Sequence, residues 1–293
     1  MPTKIEWCDE SWNFLTGCSP ISEGCRNCYA KRMAKRLAGR CGYPKNNPFQ
    51  VTFHPDKLDE PMKWKKPRII FPCSMSDLFH EDVEGFDLEQ MRRDAWHIME
   101  SCPQHTFMVL TKREKIMQGF CMTREPMKHI WLGVTVENQA NTDRIITLLG
   151  TPAGKHFVSI EPMLGPVDLT RIKVARQNYP PGSVRPIGEI VEINALTGNT
   201  IDHLGIERPG SRKLDLVICG GETGPGAREM KPEWVRPLRD QCVAARSTGS
   251  VPAGVPFFFK KWGDWNARYY GQHFAKQIIG SCIDGQQWRQ WPL

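Results

Sequence analysis

Short apolar runs alternate with helical patterns along nearly the whole chain. Arg68–Cys73, Thr106–Thr111, Ile130–Val136, Lys155–Ile160, Leu214–Cys219 and Pro256–Lys260 each read as a buried strand. Trp12–Leu15 is expected to form a short strand ahead of them, ending just before Cys18. Helical periodicity covers residues 87–100, 139–149 and 232–246. After Cys28, Tyr29, Met33 and Leu37 recur every fourth position with Ala30 and Ala34 beside them, which predicts an amphipathic helix. Its other face carries Lys31, Arg32, Lys35, Arg36 and Arg40, and Gly39 and Gly42 mark its end. Repeated β–α units predict an α/β fold with a parallel sheet and helices outside it. Seven strands of this kind predict a partial or complete (β/α) barrel, and 293 residues suit one such domain over 1–293.

Residues 171–213 break the rhythm. Pro180-Pro181-Gly182, Pro186, Gly188, Gly198 and Pro209-Gly210 punctuate them, with scattered apolar positions between. They read as an insertion, a small β-hairpin or a flexible flap, on the face where barrels carry their active sites.

In parallel α/β folds the ligand lies at the carboxyl ends of the strands. Here those ends are polar. They carry Ser74, Ser76 and Asp77, then Thr111-Lys112-Arg113, Thr135 with Glu137-Asn138, Ser159 with Glu161, Gly220-Gly221-Glu222, and Lys260. One polar strand end is ordinary, because strands exit into solvent. With the cysteine loop that follows the first strand, seven in succession predict a polar pocket. The run Gly220–Gly226 could cradle a carboxylate or phosphate with its amides, or could be a tight turn that needs glycine for its dihedrals. Lys112 and Lys260 could hold the same anions, and Glu161 is a strand-end carboxylate.

The first strand leads into Gly17-Cys18-Ser19-Pro20-Ile21-Ser22-Glu23-Gly24-Cys25-Arg26-Asn27-Cys28, a C-x6-C-x2-C spacing. Three thiolates suit a [4Fe–4S] cluster with one iron left open. Gly17 and Gly24 permit a tight wrap, Pro20 stiffens it, and the following helix turns its amino end toward the thiolates. A structural zinc site is the alternative, with Cys8 or Cys41 as the fourth ligand, although neither makes a second C-x2-C pair.

Composition narrows the class. Hydrophobic residues make up 40%, as in a globular protein, and no apolar run approaches the ~20 residues that cross a bilayer. The amino terminus has no secretory pattern, so the expected location is the cytoplasm. In that reducing compartment the eleven cysteines are thiols or metal ligands, and an odd count cannot pair completely. A net charge of +7 permits a nucleic-acid or phosphorylated partner without requiring one. A zinc-containing nucleic-acid-binding protein using the Lys31, Arg32, Lys35 and Arg36 face is therefore a rival to an enzyme.

The cysteine run, with Glu6-Trp7 and Trp12-Asn13 upstream, resembles the phage Gp37/Gp68 family. So do Ser74-Met75-Ser76-Asp77-Leu78-Phe79-His80, Leu110–Arg113, Trp131–Glu137, Glu161–Asp168, Gly220-Gly221-Glu222 and Phe257–Lys260, in order over most of the chain. That family is placed in or near the radical SAM superfamily. The resemblance implies a barrel of the radical SAM type in which S-adenosyl-L-methionine (SAM) chelates the open iron of a cluster held by Cys18, Cys25 and Cys28. It implies an electron donor and a 5′-deoxyadenosyl radical that takes a hydrogen from the substrate. By association it also implies a modified nucleobase in phage DNA as substrate. The enzyme would then be an isomerase that rearranges an amino acid attached to thymine in the host cytoplasm, a modification that evades restriction. A free nucleotide is the alternative substrate.

The chain departs from the common radical SAM pattern. The first gap is six residues rather than three, Asn27 precedes Cys28, and Gly220-Gly221-Glu222 comes late rather than after the second strand. Ser74, Ser76 and Asp77 occupy that second-strand position and are SAM-site candidates by place alone. Glu161, Gly220, Gly221, Glu222 and Lys260 complete the candidate cofactor-binding set.

Overall fold

A computed structural model describes residue 3 and residues 5–81, 87–174, 190–210, 212–245, 254–265 and 281–292. The chain begins β1 (Glu10–Trp12), β2 (Leu15–Thr16), α1 (Tyr29–Leu37), β3 (Thr52–Phe53), α2 (Glu60–Lys63), β4 (Ile69–Pro72) and α3 (Leu88–Glu100). It continues β5 (Thr106–Thr111), α4 (Glu114–Cys121), β6 (Ile130–Thr135), α5 (Asp143–Leu149) and β7 (Lys155–Ile160). Then come β8 (Ile172–Lys173), β9 (Ile190–Ile193), β10 (Thr200–Asp202) and β11 (Glu207–Arg208). Next are β12 (Leu216–Cys219), α6 (Pro232–Ala244) and β13 (Phe257–Phe259). The last strands are β14 (Cys282–Ile283) and β15 (Gln286–Gln287). The fold is mixed α/β, with a seven-stranded parallel sheet in the order β1-β4-β5-β6-β7-β12-β13. That order follows the chain, as stepwise β–α repetition requires. Among the described residues, no helix is long and apolar enough to cross a membrane.

The chain divides into two compact units. The first comprises residues 1–135, 151–155 and 223–227 and holds β1, β4, β5 and β6. Glu10 pairs with Ile70, Ile69 with Thr106 and Phe107 with Ile130. Parallel strands in this register end on one edge, so the segments after Trp12, Pro72 and Thr111 leave the sheet together. Trp12 is fully buried against Phe14, with ring centroids 4.3 Å apart, and against Phe107 at 6.0 Å.

The second unit comprises residues 136–150, 156–222 and 228–293. Its strands β12 and β13 pair Val217 with Phe257 and Cys219 with Phe259, and β7 pairs Phe157 with Leu216. All of these side chains are buried, as expected for strands covered on both faces. The predicted insertion contributes a four-stranded sheet in the order β11-β10-β9-β8, antiparallel throughout. It is larger than a single hairpin. Its stretch 175–189, which includes Pro180-Pro181-Gly182, lies outside the described residues.

Helix α1 keeps part of the expected face and turns part of it outward. Tyr29 and Met33 are 44% and 41% exposed, while Ala30 and Ala34 are buried with Tyr43 and Met75. The small side chains let the helix approach closely and Leu37 packs partly buried against the same cluster, while Tyr29 and Met33, one position before each alanine, remain exposed. Arg32 also leaves the proposed basic face: its Nη1 donates to Asn27 O at 2.9 Å and its Nη2 to Thr223 O at 2.7 Å. Helix α4 has no counterpart among the expected helices. It spans eight residues, and its buried positions Met117, Phe120 and Cys121 are three and four apart over too short a window to stand out.

Candidate functional site

The cysteine loop leaves β2 through Gly17, whose φ is 81°. A Cβ there would lie 2.1 Å from Gln50 O, so only glycine allows the close approach. Gly17 N–H donates to Met75 O at 3.0 Å and Cys18 N–H to Phe49 O at 3.3 Å. Ser76 Oγ donates to Gly17 O. A 3-10 turn over Glu23–Cys25 follows, and Cys28 caps α1. The three cysteines are free thiols of intermediate exposure.

The turn after β4 is built around Cys73, a buried non-glycine residue at φ 57°. Holding that conformation costs of order 1–3 kcal/mol. Cys73 N–H donates to Trp12 O at 2.8 Å, and Ser76 N–H closes the turn on Cys73 O at 2.9 Å. Asn13 Oδ1 accepts from Ser74 Oγ at 3.1 Å and from Met75 N–H at 3.0 Å. Tyr29 OH donates to Ser74 O. The Ser74 and Ser76 hydroxyls thus tie this turn to the segments around Asn13 and Gly17.

Asp77 is buried and accepts from Thr111 Oγ1 at 2.7 Å, Phe79 N–H at 3.0 Å, Lys112 N–H at 3.1 Å and Arg113 Nη1 at 3.3 Å. It joins the end of β4 to the end of β5. Arg113, which the sequence offers only as the third residue of a polar strand end, is the hub of this unit. Its Nη1 lies 3.5 Å from Cys18 Sγ, its Nη2 donates to Ser19 Oγ at 2.9 Å and Ser19 O at 3.2 Å, and its Nε donates to Glu81 Oε2 at 2.7 Å. His80 Nε2 accepts from Ser19 N–H at 3.1 Å, which leaves the proton on Nδ1, 2.7 Å from Glu81 O. Arg113, Ser19, His80, Asn13 and Glu81 received no role from the sequence: Arg113 stood there as part of a strand end, Ser19 within the cysteine run and Asn13 and His80 within the family blocks, while Glu81 was not named.

The thiols differ in electrostatics. Burial pushes the Cys18 thiol up to about 12, the Asp77 charge adds to this, and Arg113 opposes it. Burial also pushes Cys25 up, but the Lys112 charge and hydrogen bonds at Ile21 and Ser22 outweigh it, so its pKa falls below the usual thiol value. Burial opposes the charge on Arg113, yet the Asp77 and Glu81 carboxylates beside it more than offset this and push its pKa up. Two cations therefore bear on two thiols of the loop. Among the described residues, no three His, Cys, Asp or Glu side chains converge as ligands of a metal ion.

The other candidates lie in the second unit. Glu161 Oε1 and Lys260 Nζ form an ion pair at 2.6 Å, at the ends of β7 and β13. Gly220, at the end of β12, packs beside both: a Cβ there would meet the Glu161 carboxylate and Lys260 Cβ at 3.4 Å. Gly220 N–H donates to Ile160 O at 3.1 Å and Gly221 N–H to Lys261 O at 2.8 Å, so neither amide is offered to an anion. A Cβ on Gly221 would lie 2.1 Å from Trp262 O, which explains its glycine. Glu222 is 5% exposed and sits in the fork of Arg228, whose backbone N–H and Nε each donate to Oε2 at 2.9 Å. The structure thus brings Glu161, Gly220 and Lys260 together, and turns Glu222 onto Arg228.

A family model described as a protein of unknown function (DUF5131) matches residues 2–292. No curated protein and no solved structure matches the chain.

Proposed function

We propose, from the premise that the chain belongs to the DUF5131 family, that it is a radical SAM enzyme whose Cys18, Cys25 and Cys28 hold a [4Fe–4S] cluster. The observation that carries this reading is the pairing of a three-thiol loop with two cations, Arg113 at 3.5 Å from Cys18 and Lys112 acting on Cys25. Thiolates and a bound cluster are anionic, and hydrogen-bond donors and positive charge beside the sulfurs stabilise them. Three thiol donors would leave one iron for another ligand, so the donor set suits the group in number and kind, while among the described residues the three sulfurs do not converge on a single metal ion. When bound, the cluster and SAM supply one-electron reductive cleavage of the sulfonium.

The chain's own residues hold and shape the site. Asp77 fixes Arg113 and the end of β5. Gly17 gives the loop its close approach. Arg113 and His80 pin Ser19, next to the first cysteine. For the substrate, the family resemblance supports an amino-acid-modified thymine in DNA, and the net charge of +7 is compatible with a polyanion. The enzyme would then be an isomerase that draws its electron from an external donor.

The test is anaerobic reconstitution with iron and sulfide. The expected product is a brown protein absorbing near ~400 nm that cleaves SAM when reduced. A colourless protein that retains zinc would overturn the proposal. Nucleoside analysis after incubation with modified duplex and with free modified nucleotide separates the two substrate classes.

A further inference from the structure

We propose that Arg113 is the positioning residue of the cysteine loop: it fixes the Cys18–Ser19 segment and donates a hydrogen bond to the Cys18 sulfur that sets the reduction potential of a bound cluster. The second half rests on the cluster reading above, whereas the first does not.

The geometry is that of a clamp. Arg113 side-chain exposure is 3%, and its guanidinium reaches five acceptor atoms on four residues. On one side it contacts Cys18 Sγ at 3.5 Å, Ser19 Oγ at 2.9 Å and Ser19 O at 3.2 Å. On the other it is anchored by Asp77 Oδ2 at 3.3 Å and Glu81 Oε2 at 2.7 Å. Asp77 is itself held by Thr111 Oγ1 and Lys112 N–H, so the anchor belongs to the sheet edge rather than to a free side chain. A planar fork with five donors can bridge these groups at once, and an ammonium cannot. A fixed positive donor at a ligand sulfur favours the reduced cluster, which carries one more negative charge.

Arg113→Gln and Arg113→Lys test this. Hydrogen exchange is measured on the metal-free protein for a peptide covering residues 17–22, with residues 106–110 of β5 as the internal reference. Both variants should speed exchange of the loop peptide several-fold and leave the reference unchanged. Arg113→Lys keeps a charge beside Asp77 and serves if Arg113→Gln does not fold. After reconstitution, the midpoint potential of Arg113→Gln should fall. A tenfold loss in the reduction equilibrium reads as ~59 mV for a one-electron couple. Loop exchange unchanged in both variants overturns the positioning role. An unchanged midpoint in a loaded variant overturns the electrostatic role. If wild-type protein takes up no cluster, the enzyme reading and the electrostatic role fail together, and the exchange result still decides the positioning role.

Discussion

The strand ends of the two units carry the same kinds of residue and use them differently. In the second unit each strand-end glutamate faces its own cation. Glu137 meets Arg144 at 3.0 Å, Glu161 meets Lys260 at 2.6 Å, and Glu222 lies in the Arg228 fork. In the first unit the cations do not stop at carboxylates. Arg113 spans from Asp77 and Glu81 to the Cys18 sulfur, and the Lys112 charge bears on Cys25. Polar strand ends alone therefore do not mark a site. Cations that reach past their carboxylates to nucleophilic or ligating groups are the stronger sign.

That contrast can be broken most decisively at the cysteines. Cys25→Ser should abolish iron and sulfide uptake on reconstitution, whereas Glu137→Gln should retain it. Equal uptake by both would remove the distinction between the units. The next largest effect is on stability. Glu137 is fully buried and faces the buried Arg144, so Glu137→Ala should cost about 3–5 kcal/mol, read as a lower urea midpoint. A neutral result would mean that the second unit's pairs are not structural.

A smaller effect concerns the thiols of the metal-free protein. A lowered pKa puts more thiolate on Cys25 at a given pH, and a raised one leaves almost none on Cys18. As pH rises from about 6 to about 9, iodoacetamide should label Cys25 first and Cys18 little, as mapped by peptide mass spectrometry. Lys112→Met should move the half-labelling pH of Cys25 upward. The smallest effect tests the helix beside the loop. Met33→Ala should change stability by less than ~0.5 kcal/mol because Met33 is exposed. Ala34→Leu should cost about 1–3 kcal/mol because Ala34 is enclosed by Tyr43 and Met75.

Much of the scaffold was readable from the chain. Thr106–Thr111 and Lys155–Ile160 coincide with β5 and β7, and residues 87–100 hold α3 with Asp87 as its cap, accepting from Gln90 N–H at 2.9 Å. Six- and thirteen-residue elements repeat their period often enough to be seen. The eight-residue α4 does not. The face of α1 is legible at Ala30, Ala34 and Leu37 but not at Tyr29 and Met33, because size counts as much as polarity where two elements meet closely: alanine fits where methionine does not. For the candidate site, the cysteines and Asp77 could be named from spacing and from strand ends, while Arg113 and Ser19 could not be joined.

Local pattern by itself determined the β–α alternation and the three-cysteine loop, because periodicity and spacing are properties of neighbouring residues. The tertiary structure decided which charge meets which group. Arg113 and Cys18 are 95 positions apart and Asp77 and Thr111 are 34 apart. They meet because β1, β4 and β5 lie side by side and parallel, so the segments that follow them leave one edge of the sheet. Strand order sets that convergence, and strand order is fixed by long-range pairing that no short stretch of sequence contains.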